Sequence, residues 1–410
     1  MNHVFFAAIL IGLTVSTANP VGLTAALVLL PAAVLRQRSR GRCYASAAGY
    51  YAHALWPLAV GAKNFFGPSV SALVAVVFWF ISAALLALPF GLLWTNTPRR
   101  LLWRAPLAIL IGIIPPLGLI GFASPLTAAG FLFPAWSWAG LVVSLAGCGL
   151  VAAYPRYGIP SFAAVALVAN LIYPGDRHAP VGWQAVDTNF GAISHGPVSP
   201  SREYLAAQEI QNQAVASPAK VTVFPESVVP RWTASTDLFW KPTIDRLRGS
   251  GKVVLIGALI PLSLPVQMAE FHAAADLLRS ARVAWPVPQS TEPYYYRNAA
   301  IIRGAESGVF LQRVPVPISV WKPLSRGGAP LHLAGPSAMD IAGERAAILI
   351  CYEQVIPWTV LTAAVVRPTL FVGMSNDHWA TGTTIPQWQA LCLRAWSRLF
   401  HLPYLLATNT

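Results

Sequence analysis

The sequence predicts a multi-span helical membrane bundle followed by an α/β domain, on three observations. Residues 1–175 contain nine Lys or Arg and no Asp or Glu, whereas residues 176–410 contain 19 Lys or Arg against 15 Asp or Glu. The first part consists of long apolar runs, and a bilayer requires about 20 apolar residues for each spanning helix. The second part alternates short Val- and Ile-rich runs with helical patterns, as layered α/β domains do. We therefore expect one domain at 1–175 and a second at 176–410.

Apolar segments divide the first domain into about seven candidate helices. They cover residues 3–18, 21–35, 44–62, 69–94, 105–121, 129–153 and 158–174. The first two are short and are separated by Asn19-Pro20, so a hairpin that does not fully cross the bilayer is an alternative for them. A signal peptide is an alternative for residues 4–18, but no Lys or Arg precedes that run, which favours a retained span.

Loop charges predict the orientation of this bundle. Alternate loops carry eight basic residues, namely Arg36, Arg38, Arg40, Arg42, Arg99, Arg100, Arg104 and Arg156. The other loops carry only Lys63. Because cytoplasmic loops are the basic ones, the chain after residue 175 is expected outside, in the periplasm of a Gram-negative host. The net charge of +13 is thus a topology signal and predicts no direct nucleic-acid binding.

The second domain divides into short strands and helices. Strands of buried or half-buried type are expected at 184–190, 220–224, 252–260, 345–350, 369–373 and 404–408. A hairpin is expected from 298–303 and 308–313, because Glu306-Ser307-Gly308 is a turn sequence. Helices are expected at 202–215 and 387–400, and residues 314–340, which contain five prolines, form a long loop.

Reactive side chains follow three of these strands. Glu226 follows a strand in Val-Phe-Pro-Glu-Ser, where partial burial would raise the carboxyl pKa and suit it to proton transfer. Cys351 follows Ile-Leu-Ile, where a turn beside a base would make the sulfur a nucleophile. The alternatives are a solvated Glu226 at a strand end and a buried structural Cys351. Glu353 is either a supporting acid or a carboxylate at a helix start.

The third segment is Met-Ser-Asn-Asp-His-Trp, residues 374–379. Its small polar residues, Asn376 among them, would line a pocket or cap the following helix. Asp377 and His378 have no matching ligand pair nearby, and the four cysteines show no CxxC spacing. We therefore expect neither a metal nor another cofactor.

Together these segments resemble the carbon–nitrogen hydrolase (nitrilase) superfamily, which uses a Glu–Lys–Cys triad. The resemblance extends to Gln387-Trp388-Gln389-Ala390 through Arg394 and to residues 407–410. A domain of this kind behind a multi-span bundle is similar to the apolipoprotein N-acyltransferases and the related TraB conjugal-transfer family. Val-Asp-Thr-Asn-Phe-Gly and Arg-Val-Pro-Val-Pro look closer to the TraB branch.

The resemblance implies an αββα sandwich and a membrane-bound N-acyltransferase-like enzyme. Glu226 matches the general base, Cys351 the acyl-accepting nucleophile, and Glu353 a carboxylate near that nucleophile. A phospholipid would supply the acyl group and an amine, of a lipoprotein or another molecule, would accept it. The TraB branch implies conjugation machinery as a partner and the bacterial inner membrane as the location.

The triad lysine does not carry over, and the family continues beyond the point where this sequence stops at Thr410. The aligned position holds Gln312, and Arg313 and Lys322 are the nearby cations. Successive side chains on a strand point to opposite faces, so a Gln312 that faces the site turns Arg313 away. Lys322 lies in the Pro-rich loop, and we therefore favour it as the third catalytic residue. A catalytically decayed conjugation component and an amide hydrolase are the alternatives.

Overall fold

The computed structural model describes residues 3–66, 72–191, 200–262, 295–322 and 327–410. The chain forms two compact units. Unit 1 consists of Met1–His178, Gln354–Ala364 and Gly382–Tyr404. Unit 2 consists of Ala179–Glu353, Val365–Thr381 and Leu405–Thr410. Unit 1 thus includes two segments from the C-terminal half of the chain, Gln354–Ala364 and Gly382–Tyr404. The two domains expected at 1–175 and 176–410 stay a prediction.

Unit 1 is helical. Its N-terminal helices are α1 (His3–Ser16), α2 (Pro20–Leu35), α3 (Arg40–Ala54), α4 (Trp56–Phe66), α5 (Ala72–Leu93), α6 (Pro98–Ile113), α7 (Ala129–Leu132), α8 (Ser137–Ala153) and α9 (Pro155–Leu171). In the described residues, one helix is long and apolar enough to cross a membrane, at Leu73–Leu93. Its 21 residues rise about 32 Å, which matches the roughly 30 Å hydrocarbon layer.

Three of the other apolar segments, 44–62, 105–121 and 129–153, form shorter helices because the chain bends inside them. The segment 44–62 divides at Leu55, between α3 and α4. The segment 105–121 ends its helix at Ile113, just before Pro115-Pro116, where the helical hydrogen bonds cannot continue. Close packing compensates: a Cβ at Gly149 of α8 would lie 2.2 Å from the Leu102 carbonyl oxygen of α6, so only glycine fits this contact.

Unit 2 contains two β-sheets. The first has the order β1-β2-β3-β4-β5 and is made of β1 (Trp183–Ala185), β2 (Val221–Val223), β3 (Val253–Pro261), β4 (Tyr296–Gly304) and β5 (Gly308–Leu311). Its first three strands are parallel, and the last two form the predicted hairpin. The second has the order β6-β7-β8-β9 and is made of β6 (Met339–Ile341), β7 (Glu344–Ile350), β8 (Leu370–Asn376) and β9 (Tyr404–Asn409).

Alternating side chains pack unit 2 into layers. Val253 and Leu255 of β3 point between the two sheets, where they meet Ile348 of β7 and Val372 of β8. The next residues along β3 point the other way, onto helices α10 (Pro200–Ala216) and α11 (Ala234–Gly249). Unit 2 is therefore an α/β domain with a helix layer and two sheets. Helices α12 (Pro357–Val365) and α13 (Ile385–Phe400) fall largely or wholly in unit 1.

Candidate functional site

Glu226 and Cys351 lie at the ends of two strands in different sheets. Glu226 follows β2 after Phe224-Pro225, and Cys351 directly follows β7 and begins a short 3-10 helix, Cys351–Val355. Cys351 has φ 52°, and Ser227, which follows Glu226, has φ 54°. This left-handed conformation is costly for residues other than glycine and is concentrated at functional sites. The side chains of Glu226 and Cys351 are buried.

The structure brings these two residues into direct contact, with a hydrogen bond between the Glu226 carboxyl group and the Cys351 thiol. Asn298 Nδ2 donates to Glu226 Oε1 at 2.5 Å, and the Asn376 backbone N–H donates to Glu226 Oε2 at 3.1 Å. The carboxyl group is therefore held on both oxygens while it faces the sulfur.

Gly257 of β3 allows the Glu226 segment to lie this close to the sheet. A Cβ at Gly257 would be 2.1 Å from the Pro225 carbonyl oxygen and 2.4 Å from the Glu226 Cα. The Gly257 N–H donates to that same carbonyl at 3.1 Å. Because residue 257 has no side chain, the Pro225–Glu226 backbone can lie against β3, and this contact sets the position of Glu226.

Glu353 is fully buried and organises the backbone around Cys351. Its Oε1 accepts from the N–H groups of Arg313 (2.9 Å) and Val314 (3.2 Å), and its Oε2 accepts from the N–H of Ile350 (3.0 Å). Arg313 Nε lies 3.5 Å from Oε1. Glu353 therefore ties the loop after β5 to the residue that precedes Cys351, as a supporting acid would.

Asn376 lies at the end of β8, where its side chain is fixed by neighbours. Its Oδ1 accepts from Asn409 Nδ2 at 2.9 Å and lies 2.8 Å from His378 Nδ1. Asn409 Oδ1 in turn accepts from Thr188 Oγ1 and from the Phe190 N–H. This buried network holds the N–H of Asn376 against Glu226.

Burial and neighbouring acids dominate the electrostatics of the site. Burial, partly offset by hydrogen bonds from Cys351, Asn298 and Asn376, raises the pKa of Glu226 to about 7. Burial and the Glu226 charge raise the pKa of Asp377 to about 8. Burial, followed by the charges of Glu226 and Asp377, raises the pKa of the Cys351 thiol well above its ordinary value. The thiol is therefore protonated at neutral pH in the resting protein.

The three residues considered for the lysine role have different surroundings. Gln312 is buried, accepts from Asn298 Nδ2 at 3.1 Å and donates from Nε2 to the Ile350 carbonyl oxygen at 2.9 Å. Arg313 is buried against Glu353. Lys322 is exposed and makes no hydrogen bond or ion pair with the residues that the structure describes. Its catalytic role stays a prediction.

Sequence reasoning missed Asn298 and Gly257. A signal for Asn298 was present: counting back from the hairpin turn places it opposite Gln312, and the Gln312 N–H does donate to the Asn298 carbonyl oxygen at 2.8 Å. Gly257 carried no signal, because a glycine inside a strand has several explanations. Chemically, the assembled groups can pass a proton between a thiol and a carboxyl group of raised pKa.

Comparison with known proteins gives two relatives and no matching protein-family model. A "probable conjugal transfer protein TraB" of Sinorhizobium fredii is 29% identical over 405 residues, which cover 95% of each chain. A "conjugal transfer protein TraB" of Agrobacterium fabrum is 29% identical over 240 residues, covering 56% of this chain. That match spans about half, 48%, of the Agrobacterium protein. The chain is thus similar to proteins named for conjugal transfer.

Among solved structures, a mutant of the amidase from Nesterenkonia sp. AN1 overlaps 55% of this chain and 76% of its own. The overlap has a TM-score of 0.31 and 14% sequence identity. That amidase structure shows the result of Michael addition of acrylamide at its active-site cysteine. A similarity of this size adds nothing to the fold described above.

Proposed function

We propose that this chain is a membrane-anchored protein of conjugal transfer that carries a cysteine acyl-transfer site of the carbon–nitrogen hydrolase type. The observation that carries the proposal is the buried contact between Glu226 and Cys351, two residues 125 positions apart in the sequence. The similarity to two proteins named TraB supplies the biological process. Glu226 is the general base and Cys351 the nucleophile.

The reaction has two steps that share one proton carrier. The Cys351 S–H proton passes to Glu226 as the sulfur attacks the carbonyl carbon of an acyl ester. The ester C–O bond then breaks, the proton moves from Glu226 to the leaving alkoxide, and a thioester remains on Cys351. An amine next attacks the thioester and gives a proton to Glu226; the C–S bond breaks, and the sulfur regains that proton. A Glu226 pKa of about 7 suits both directions of transfer.

The membrane anchor is supported by apolar side chains that point away from unit 1. Leu73 (66% exposed) and Leu92 (66%) of α5, Leu167 (61%) and Leu171 (75%) of α9, and Val142 (66%) of α8 are all exposed. Large exposed apolar side chains thus occur on three helices of unit 1, and exposed apolar surfaces mark sites of membrane or protein contact. We therefore assign these faces to lipid and the helices of unit 1 to a multi-span bundle, with a phospholipid as the acyl donor.

Contacts between the basic loops support the predicted orientation. Arg36 Nη1 donates to the Ala153 carbonyl oxygen at 3.1 Å, and Trp94 Nε1 donates to the Gln37 carbonyl oxygen at 3.0 Å. The basic loop after α2 therefore meets the ends of α5 and α8, next to the other two basic loops. Three basic loops at one end of unit 1 are expected to face the cytoplasm of the inner-membrane protein.

A reporter assay tests this orientation. A phosphatase fused after residue 180 should be active, because that point lies in the periplasm, and fusions at Arg40 and Arg100 should be inactive. The opposite pattern would overturn the assignment of sides.

The catalytic proposal is tested with Cys351→Ala and Glu226→Gln in full-length protein. Cys351→Ala should abolish a hydroxylamine-sensitive acyl mass on the protein and reduce plasmid transfer frequency. Glu226→Gln should slow acylation about 10²- to 10⁴-fold, the usual contribution of a general base. Cys392→Ala is the matched control, since Cys392 is a buried cysteine of α13 in unit 1. In the Cys392→Ala variant, Cys351 should be acylated to the same extent as in the unaltered protein.

A second candidate is a membrane component of conjugation that has lost catalysis. The neutral Gln312 at the position aligned with the lysine, and the exposed Lys322, favour it. Under this alternative, Cys351→Ala transfers the plasmid at the normal frequency and no acyl mass is found on Cys351. Those two results together would replace the first proposal.

A further inference from the structure

Two amide side chains connect Glu226 to the backbone beside Cys351. Asn298 Nδ2 carries two hydrogens, and it donates to Glu226 Oε1 (2.5 Å) and to Gln312 Oε1 (3.1 Å). Gln312 Nε2 donates to the carbonyl oxygen of Ile350 (2.9 Å), the residue before Cys351. Three hydrogen bonds thus run from the carboxyl group of the base to the peptide that carries the nucleophile.

This connection is rigid because its parts are buried and built on a hairpin. Asn298 and Gln312 are cross-strand neighbours at one end of β4–β5, joined by a backbone hydrogen bond of 2.8 Å. They are 3% and 4% exposed, and Glu226 is 7% exposed. Ser227 Oγ also donates to Asn298 Oδ1, at 3.4 Å. Water therefore has little access to exchange with these hydrogen bonds.

The connection is also neutral. The charged groups that act most strongly on the Cys351 sulfur are the carboxylates of Glu226 and Asp377, and both oppose a thiolate. The guanidinium group of Arg313 is directed to Glu353. Amide groups orient a carboxyl group by hydrogen bonding, but they do not supply the positive charge that stabilises a thiolate in a buried site.

We propose that Asn298 and Gln312 form an amide clamp that fixes Glu226 against Cys351 and leaves the nucleophile as a neutral thiol until substrate is attacked. The clamp consists of the side chains of Asn298 and Gln312, which are positioning residues and do not touch the reacting atoms. The inference rests on the proposed function in taking Cys351 as the nucleophile. It goes further by assigning the resting charge of the site to the identity of residue 312.

Gln312→Lys is the sharpest test, because it places an ammonium group among the acids and also removes the Oε1 acceptor of Asn298. An opposite charge within about 4–6 Å lowers a pKa by about 1–3 units, which corresponds to about 10- to 10³-fold more thiolate at neutral pH. The rate of alkylation of Cys351 by iodoacetamide should rise by that factor at pH 7, and its pH midpoint should fall.

The rate is measured on full-length protein in detergent, cysteine by cysteine, by peptide mass mapping. Cys43, Cys148 and Cys392 are internal controls, because they lie outside unit 2. Gln312→Glu is the matched control of similar size and opposite charge, and it should shift the Cys351 midpoint upward. A Gln312→Lys protein with a normal unfolding midpoint and an unchanged Cys351 profile would overturn the proposal.

A double-mutant cycle keeps the test decisive if Gln312→Lys fails to fold. Asn298→Ala should change the pH profile of Cys351 alkylation in the unaltered protein, because Glu226 loses its Oε1 partner. The same change should have no effect in a Glu226→Gln background. An equal effect in both backgrounds would show that Asn298 does not act through Glu226. The alkylation measurements need no acyl donor, so they test the amide clamp separately from the proposed function. Normal plasmid transfer by Cys351→Ala would contradict the proposed function, whereas unchanged alkylation profiles would contradict the clamp.

Discussion

Asp176 in unit 1 and Glu226 in unit 2 show how differently one chain treats two carboxyl groups. Asp176 Oδ1 accepts from Arg398 Nη1 at 2.7 Å and from the Tyr173 hydroxyl at 2.8 Å, and Oδ2 lies 3.2 Å from Arg394 Nη2. The Asp176 side chain is 35% exposed. Glu226 is 7% exposed, and its partners are a neutral amide, a backbone N–H and a thiol.

The pKa of each group follows from these partners. Partial burial alone would raise the pKa of Asp176, but the Tyr173 hydrogen bond and the two arginines together lower it. Burial raises the pKa of Glu226 to about 7, because it outweighs the hydrogen bonds from Cys351, Asn298 and Asn376, which lower the pKa. Hydrogen bonding and neighbouring charge together therefore outweigh burial at Asp176, whereas burial dominates at Glu226. Asp176 is suited to holding structure, and Glu226 to exchanging a proton.

Gly257→Ala should have the largest effect, because it moves Glu226 out of its buried surroundings. The new Cβ would lie 2.1 Å from the Pro225 carbonyl oxygen, so the backbone must shift. We expect a destabilisation of about 1–3 kcal/mol, typical of overpacking. A displacement of about 1 Å should also reduce Cys351 acylation about 10²-fold. Denaturant unfolding and the acyl mass measure the two effects.

Gly249→Ala is the control for this substitution. Gly249 is the last residue of α11, and a Cβ there meets nothing within 4 Å. Its stability should change by less than about 1 kcal/mol, since alanine is the better helix former. If Gly257→Ala behaves in the same way, the glycine does not fix the position of Glu226.

The pH dependence of stability should have one sign at Glu226 and Asp377 and the opposite sign at Asp176. The pKa values of Glu226 (about 7, ordinarily 4.5) and Asp377 (about 8, ordinarily 3.8) are raised in the folded protein. The folded state then binds more protons than the unfolded chain, so these groups reduce stability as pH rises from about 4 to about 8. The lowered pKa of Asp176 contributes stability above 3.8 that is lost as pH falls below it.

Unfolding midpoints of Glu226→Gln and Asp377→Asn between pH 5 and pH 8 measure this difference. Each variant should lose less stability toward pH 8 than the unaltered protein, because an amide has no proton to lose. Curves parallel to that of the unaltered protein would mean that both acids are already ionised at pH 5.

Asp176→Asn should have the smallest effect. The ion pairs are partly exposed and screened by solvent, so their loss should cost no more than about 1 kcal/mol, with Cys351 alkylation unchanged. Asp340→Asn, at an exposed acid with no ion pair among the described residues, should cost less still. A large loss of Cys351 reactivity in Asp176→Asn would end the distinction between a structural and a reactive carboxyl group.

Much of the secondary structure of unit 2 was predictable, because its buried strands contain short runs of consecutive apolar residues. The strands expected at 252–260 and 345–350 appear as Val253–Pro261 and Glu344–Ile350. Helices α11 and α12 and strand β6 were missed. Helix α11 contains Pro242, and β6 has three residues and only two apolar side chains, so neither has a clear period. The first strand was expected to reach Phe190 but ends at Ala185.

In unit 1, the apolar segments predicted helices but not where the helices bend. Segment 69–94 became the single long helix Ala72–Leu93, whereas segment 129–153 divides into α7 and α8. Hydropathy reports the surroundings of a residue, not its backbone conformation, so a bend between apolar residues leaves the hydropathy profile unchanged.

The sequence by itself determined the apolar and basic pattern of the first 175 residues, most strands of the second part, and Glu226 and Cys351 as the proposed reactive residues. These follow from local composition, which sets hydrophobic burial and strand propensity. Only the tertiary structure decided that Asn298 donates hydrogen bonds to both Glu226 and Gln312. It also decided that Arg313 lies beside Glu353 and that Lys322 is exposed. Side-chain charge and hydrogen bonding depend on which groups lie within about 3 Å, and that distance is set by the packing of strands far apart in the chain.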